Sequence, residues 1–97
     1  MPRTRRDRVD ANQGAIVKEL RRLGYDCILG MDDILVGGIS PQTGEKQSWW
    51  FEIKTGPKAP VKASQRALVE SYRGQYRIVW TVDQILAEIG HKPPAPR

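Results

Sequence analysis

The run WWFEIK, Trp49 to Lys54, restricts this 97-residue chain more than any other stretch. Trp49, Phe51 and Ile53 suit one buried face of a β-strand. Side chains alternate along a strand, so Trp50, Glu52 and Lys54 share the other face. A strand that apolar therefore shows an acid and an amine two residues apart on one side. The pair is either a charged edge that discourages aggregation or a site.

The rest of the chain reads as α-β-β-β-α-β-α. A first helix is expected over Asp10 to Leu23, with Ile16, Val17, Leu20 and Leu23 as its apolar stripe. Asp10 is its expected N-cap, Gln13 the capping-box partner, and Gly24 the left-handed stop. Strands are expected over Tyr25 to Leu29, Asp33 to Val36 and Gln47 to Lys54, with a loop over Ser40 to Glu45. These three form an antiparallel meander. A second helix spans Ala63 to Arg73, with Gln65, Leu68, Val69 and Tyr72 in its stripe. Strand Tyr76 to Trp80 and helix Val82 to Ile89 follow, the latter with a Thr81–Gln84 capping box and Gly90 as stop. The helical crossover makes the third and fourth strands parallel neighbours. The expected fold class is α/β (α+β): an α-β-β-β-α-β core in which helices flank a mixed four-stranded sheet.

Residues 10–90 are expected to form a single domain, preceded by a flexible basic arm over 1–9 and followed by a disordered tail over 91–97. The arm holds Arg3, Arg5, Arg6 and Arg8. It is either a phosphate-binding segment or a frayed terminus. The formal net charge of +5 favours an anionic partner, usually nucleic acid. One cysteine, Cys27, excludes an internal disulfide, and with a single histidine it leaves too few ligands for a structural zinc site. Cys27 reads as a core residue, as do Trp49 and Trp80; Trp50 shares the Glu52 face and either lines the site or packs in the core. No apolar run has the length of a signal peptide or a membrane span, so the cytoplasm is the expected compartment and no membrane partner is expected.

If the second and third strands pair, Asp33 and Glu52 meet at one end of the sheet. Two carboxylates converging in a partly buried place repel each other unless a cation sits between them. Mg²⁺ takes oxygen ligands, commonly one or two carboxylates plus waters. The Ile53 backbone carbonyl is a further candidate ligand. Lys54 is placed either to take a proton from an attacking water or to orient it and steady charge. That equipment suits metal-assisted phosphodiester hydrolysis. Gln65 heads its helix stripe where an apolar residue is expected. It is either drawn to Lys54 and the attacking water or caps the helix start.

The D…E-x-K arrangement resembles the PD-(D/E)XK nuclease superfamily. The fuller set, DILVGG (Asp33 to Gly38), FEIKTGPK (Phe51 to Lys58) and Gln65 near the next helix start, resembles its VRR-NUC branch. That branch includes small phage and bacterial nucleases similar to Holliday junction resolvases. The likeness spans roughly residues 10 to 82. Only one of the eleven acids has a lysine two residues later, and it lies in the strongest strand. The resemblance implies a restriction-endonuclease-like core and an endodeoxyribonuclease using Mg²⁺ or Mn²⁺, with no small-molecule cofactor. Asp33 and Glu52 would bind the metal, Lys54 would be the catalytic lysine and Gln65 the supporting glutamine.

Two positions depart from the family pattern. Asp32 stands where many relatives have proline, as an extra metal-shell carboxylate or a turn residue. Gln13 stands about where relatives place a glutamate; it reaches the metal through a water or only closes the box with Asp10. Branched duplex DNA is the expected substrate, and cutting both strands of a junction calls for a homodimer. If the chain is phage-encoded, the compartment is the host cytoplasm. Lys58, Lys62 and the four arginines are candidate backbone contacts, reading shape rather than sequence. The alternative is a catalytically inactive nucleic-acid-binding module of nuclease-like fold. Sequence-specific restriction cleavage ranks lower because so short a chain leaves little room for a recognition element.

Overall fold

Seven elements follow one another in the expected order in the computed structural model, which describes residues 5–92, with side chains from Asn12 onward. They are α1 (Arg5–Arg22), β1 (Asp26–Leu29), β2 (Asp33–Ile39), β3 (Lys46–Ile53), α2 (Ala63–Ser71), β4 (Tyr76–Val79) and α3 (Val82–Ile89). The fold is α/β. Its four strands stand in the order β1-β2-β3-β4, the first two pairings antiparallel and the last parallel. No helix among the described residues is long and apolar enough to cross a membrane.

Strand parity divides the sheet into two unlike faces. On one, Ile34, Val36, Trp49, Phe51, Ile53 and Val79 are buried. They meet Ile16, Val17 and Leu20 of α1 and Ile85 and Ile89 of α3 in the single core cluster. Burying each such side chain contributes about 1.5–3 kcal/mol. The other face carries Asp33 and Leu35 of β2, Ser48, Trp50 and Glu52 of β3, and Tyr76 and Ile78 of β4. Among the described residues only α2 lies over it, and α2 buries none of its residues.

Three expectations about boundaries need correction. α1 begins at Arg5, so Asp10 lies inside the helix and does not cap it. Arg5, Arg6 and Arg8 occupy the first turns of α1, because arginine propagates a helix well without an apolar stripe. The side chains of these arginines, and all of Arg3, fall outside what is described. β2 continues through Gly37 and Gly38, which pair with Ser48 and Gln47 instead of ending the strand. Gly38 is needed where it stands, since a Cβ there would press on the Tyr25 ring.

At the other end, the Thr81–Gln84 box forms as expected and Gly90 stops α3 at φ 84°. Beyond it, His91 does not belong to a loose tail. Its Nδ1 lies 2.8 Å from the Tyr25 hydroxyl, tying the end of α3 to the start of β1. Residues 93–97 of that tail lie outside the described residues. Cys27 sits at the rim of the core rather than inside it, half-buried on the edge strand.

Candidate active site

Asp33 and Glu52 are direct partners across β2 and β3. Trp50 and Lys54 donate their backbone N–H groups to Gln75 and Val79, and Ile53 donates to Asp32. By alternation, Glu52 turns its backbone bonds toward β4. Asp33 and Glu52 therefore form the narrow type of antiparallel pair, with facing Cα atoms about 4.5 Å apart rather than about 5.5 Å. Both side chains rise from the sparsely covered face of the sheet.

Glu52 is only 9% exposed. Burial pushes its carboxyl above the ordinary value; Lys54 pulls it back, Asp33 and Asp32 push it further up, and a hydrogen bond with the Gln65 side chain lowers it. Asp33 faces Glu52 directly across the strands, and Lys54, Asp32 and Gln65 are felt at the same carboxyl. Of the two roles left open for Gln65, the helix cap is present. Gln65 Oε1 accepts from the Lys62 backbone N–H at 3.0 Å, capping α2, and its side chain bears on the Glu52 carboxyl as the weakest of those influences.

Lys54 is held from two directions. Its N–H donates to the Val79 carbonyl at 2.8 Å. Its own carbonyl accepts from Asn12 Nδ2 at 3.0 Å, and the same amide reaches the Trp80 carbonyl at 3.2 Å. α1 thus clamps the ends of β3 and β4 together. Gln13, one residue on, is buried and donates to the carbonyls of Gly30 at 3.3 Å and Asp33 at 2.9 Å. With Asp10 inside α1 rather than at its start, the expected helix-start box with Gln13 does not apply. Gln13 braces the turn that delivers Asp33.

Asp32 is a bend residue between β1 and β2. Its carbonyl accepts from Ile53 N–H at 2.7 Å. Its Oδ1 is buried without a hydrogen-bond partner, as is the Tyr76 hydroxyl. The Tyr76 phenol is pushed up to about 12 by burial first and then by Glu52 and Asp33. An unpaired buried oxygen costs about 1–3 kcal/mol, so both groups mark a place short of a partner.

Three carboxylates act on this spot against one lysine, and the orphan Asp32 oxygen is an acceptor without a donor. That imbalance suits a hard cation. Asp33 and Glu52, paired across β2 and β3, are oxygen donors of the kind a hard divalent cation takes. No group of three or more carboxylate, imidazole or thiol side chains suited to a metal occurs among the described residues.

Sequence reasoning passed over Gly30 and Tyr76 and left Trp50 between site and core. Trp50 is half-buried on the acid face, and its indole N–H donates to Asp33 Oδ2 at 2.7 Å. Its parity with Glu52 was the available signal. Gly30 precedes β2 by three residues, and a Cβ there would collide with Asp33 Oδ1. Tyr76 comes to the site only through the β3–β4 register, Trp50 opposite Tyr76, which no local pattern encodes. Of the basic residues expected to meet DNA, Lys58 and Lys62 are exposed on the loop between Lys54 and α2.

No family model, curated protein or solved structure matches this chain.

Proposed function

We propose that this chain is a Mg²⁺- or Mn²⁺-dependent endodeoxyribonuclease, selective for branched DNA and acting as a homodimer. One observation carries the reading: Asp33 and Glu52 face each other as a narrow pair on an open sheet face, with Lys54 acting on the same carboxylate. A purely structural charge pair would sit in solvent, not at a 9% exposed position beside two further acids. The likeness of DILVGG, FEIKTGPK and Gln65 to VRR-NUC nucleases points the same way.

In this reading Asp33, Glu52 and the Ile53 carbonyl hold the cation, which when bound polarises the phosphate and lowers the pKa of a coordinated water. Gln65 keeps the Glu52 carboxylate in one orientation. The Lys54 ammonium lies beside it, where it orients the attacking water and steadies the charge that grows on phosphate oxygen. Lys58 and Lys62 line the approach from the α2 side and pair with DNA phosphates. Two cuts across a junction need two such sites, hence two copies. Exposed Ile28, Leu35 and Ile39 give apolar surface for a second copy on the same face as Asp33.

The test is a panel of labelled four-way junction, flap, nicked, single-stranded and linear duplex DNA, each with Mg²⁺ and with Mn²⁺. Wild type is expected to cut the junction fastest, and Lys54→Ala to lose about a hundredfold or more in rate. Binding without cleavage of any form would replace this reading with that of an inactive DNA-binding module.

A further inference from the structure

The indole of Trp50 has one hydrogen-bond donor, and its direction is set from three sides. Tyr76 packs against the ring edge-to-face at 4.5 Å between centroids, and Tyr72 does so at 5.5 Å. Each such aromatic pair is worth about 0.5–1.5 kcal/mol beyond its burial. The third contact is the N–H bond to Asp33 Oδ2 at 2.7 Å. Trp50 stands opposite Leu35, so Asp33 is its diagonal neighbour on the same face. A long side chain spans that diagonal; a short one does not.

The Asp33 carboxylate is confined on its other side as well. Oδ1 lies so close to the Gly30 backbone that a Cβ there would overlap it. Gly30 has no positive φ, so its backbone needs no glycine. What needs the glycine is the carboxylate folded against it. The turn itself is closed by the Gly30 N–H donating to the Asp33 carbonyl at 2.9 Å. Trp50 and Gly30 together leave the carboxylate one seat.

We infer that Trp50 is a positioning residue: its indole N–H, opposed by the bare backbone of Gly30, holds the Asp33 carboxylate in the orientation that receives a divalent cation. The inference rests on the nuclease reading above but concerns cation binding alone. A hydrogen bond from a neutral donor to an ionised carboxylate is short and strong. It fixes one oxygen and leaves lone pairs on the carboxylate for the cation. Groups that orient metal ligands in this way change metal affinity about 10–100-fold when removed.

The experiment titrates the full chain with Mn²⁺ alone, without DNA, by calorimetry. Trp50→Phe keeps an aromatic ring and loses the N–H. Gly30→Ala displaces the same carboxylate from the opposite side and leaves the aromatic cluster untouched. Both are expected to bind Mn²⁺ about tenfold more weakly than wild type. A Mg²⁺ titration followed by NMR is expected to move one indole N–H resonance, the one absent from Trp50→Phe. A merely structural tryptophan would leave that resonance in place. A dissociation constant within twofold of wild type in either folded variant overturns the inference. Should Trp50→Phe fail to fold, Gly30→Ala decides. Absence of Mn²⁺ binding by wild type would instead bring down the nuclease reading, and this inference with it.

Discussion

Gln13, Ile16, Val17 and Leu20 in α1, and Gln65, Leu68 and Val69 in α2 with Tyr72 at its C-cap, follow the same spacing: a glutamine, then apolar residues three, four and seven positions on. The four in α1 are all buried, while α2 buries none, with Val69 51% and Tyr72 48% exposed. The difference lies in the sheet face beneath each helix. α1 meets a face that is apolar at Ile34, Val36, Phe51 and Ile53. α2 meets one that carries Asp33, Ser48 and Glu52, which cannot be sealed without stranding carboxylates. An amphipathic stripe therefore states what a helix can bury, and the opposing face decides whether it does. In this chain the unsealed face is also the one that holds the acid pair.

The sharpest way to break the comparison is to truncate both stripes. Leu20→Ala, at a position with no exposure, is expected to cost about 2–5 kcal/mol in chemical unfolding. Val69→Ala is expected to stay within about 0.5 kcal/mol. Similar losses at the two sites would mean that α2 is packed as firmly as α1.

The two glutamines should separate next. Gln13→Leu leaves the Gly30 and Asp33 carbonyls without their donor and is expected to cost about 1–3 kcal/mol. Gln65→Leu is expected to change stability by less than about 1 kcal/mol, the worth of a helix cap, while slowing DNA cleavage about tenfold or more. Paired unfolding and cleavage assays would reveal a reversed order.

A pH titration of stability sharpens the contrast at Glu52. Burial holds its carboxyl above the ordinary 4.5. Between that value and the higher folded one, the native state binds more protons than the unfolded state. Glu52 then makes stability fall as pH rises through the window. Without divalent cation, the difference in unfolding free energy between wild type and Glu52→Gln is expected to move against wild type as pH rises from about 4.5 toward 7. A flat difference would show that the carboxyl is not perturbed.

The smallest expected effect is at Tyr76. Its hydroxyl is buried and unpaired, so Tyr76→Phe is expected to be neutral or stabilising by up to about 1 kcal/mol in thermal unfolding. A clear loss of stability would show that the hydroxyl has a partner.

Much of this was legible in the residues because strand parity is a local rule. Alternation along WWFEIK separates Glu52 from the core, and a hairpin between DILV and WWFEI brings Asp33 opposite it. The α3 boundaries were legible for the same reason, since Thr81, Gln84 and Gly90 mark both ends within ten residues. The start of α1 was not, because its first turns carry arginines and no stripe. Nor was the full length of β2, since Gly37 and Gly38 read as breakers until Tyr25 is seen packed against Gly38. The roles of Trp50, Gly30 and Tyr76 depend on a diagonal contact, a close backbone approach and a parallel register. None of these is written in neighbouring residues.

Thermal unfolding with and without saturating Mn²⁺, for wild type, Asp33→Asn and Glu52→Gln, tests the central claim most directly. A cation that binds only the folded state adds about 2.7 kcal/mol at a hundred times its dissociation constant, on the order of 10 °C in a domain of this size. Wild type is expected to show that rise, and each variant to lose it. A wild-type midpoint indifferent to Mn²⁺, or variants that rise as wild type does, would contradict a cation held between Asp33 and Glu52.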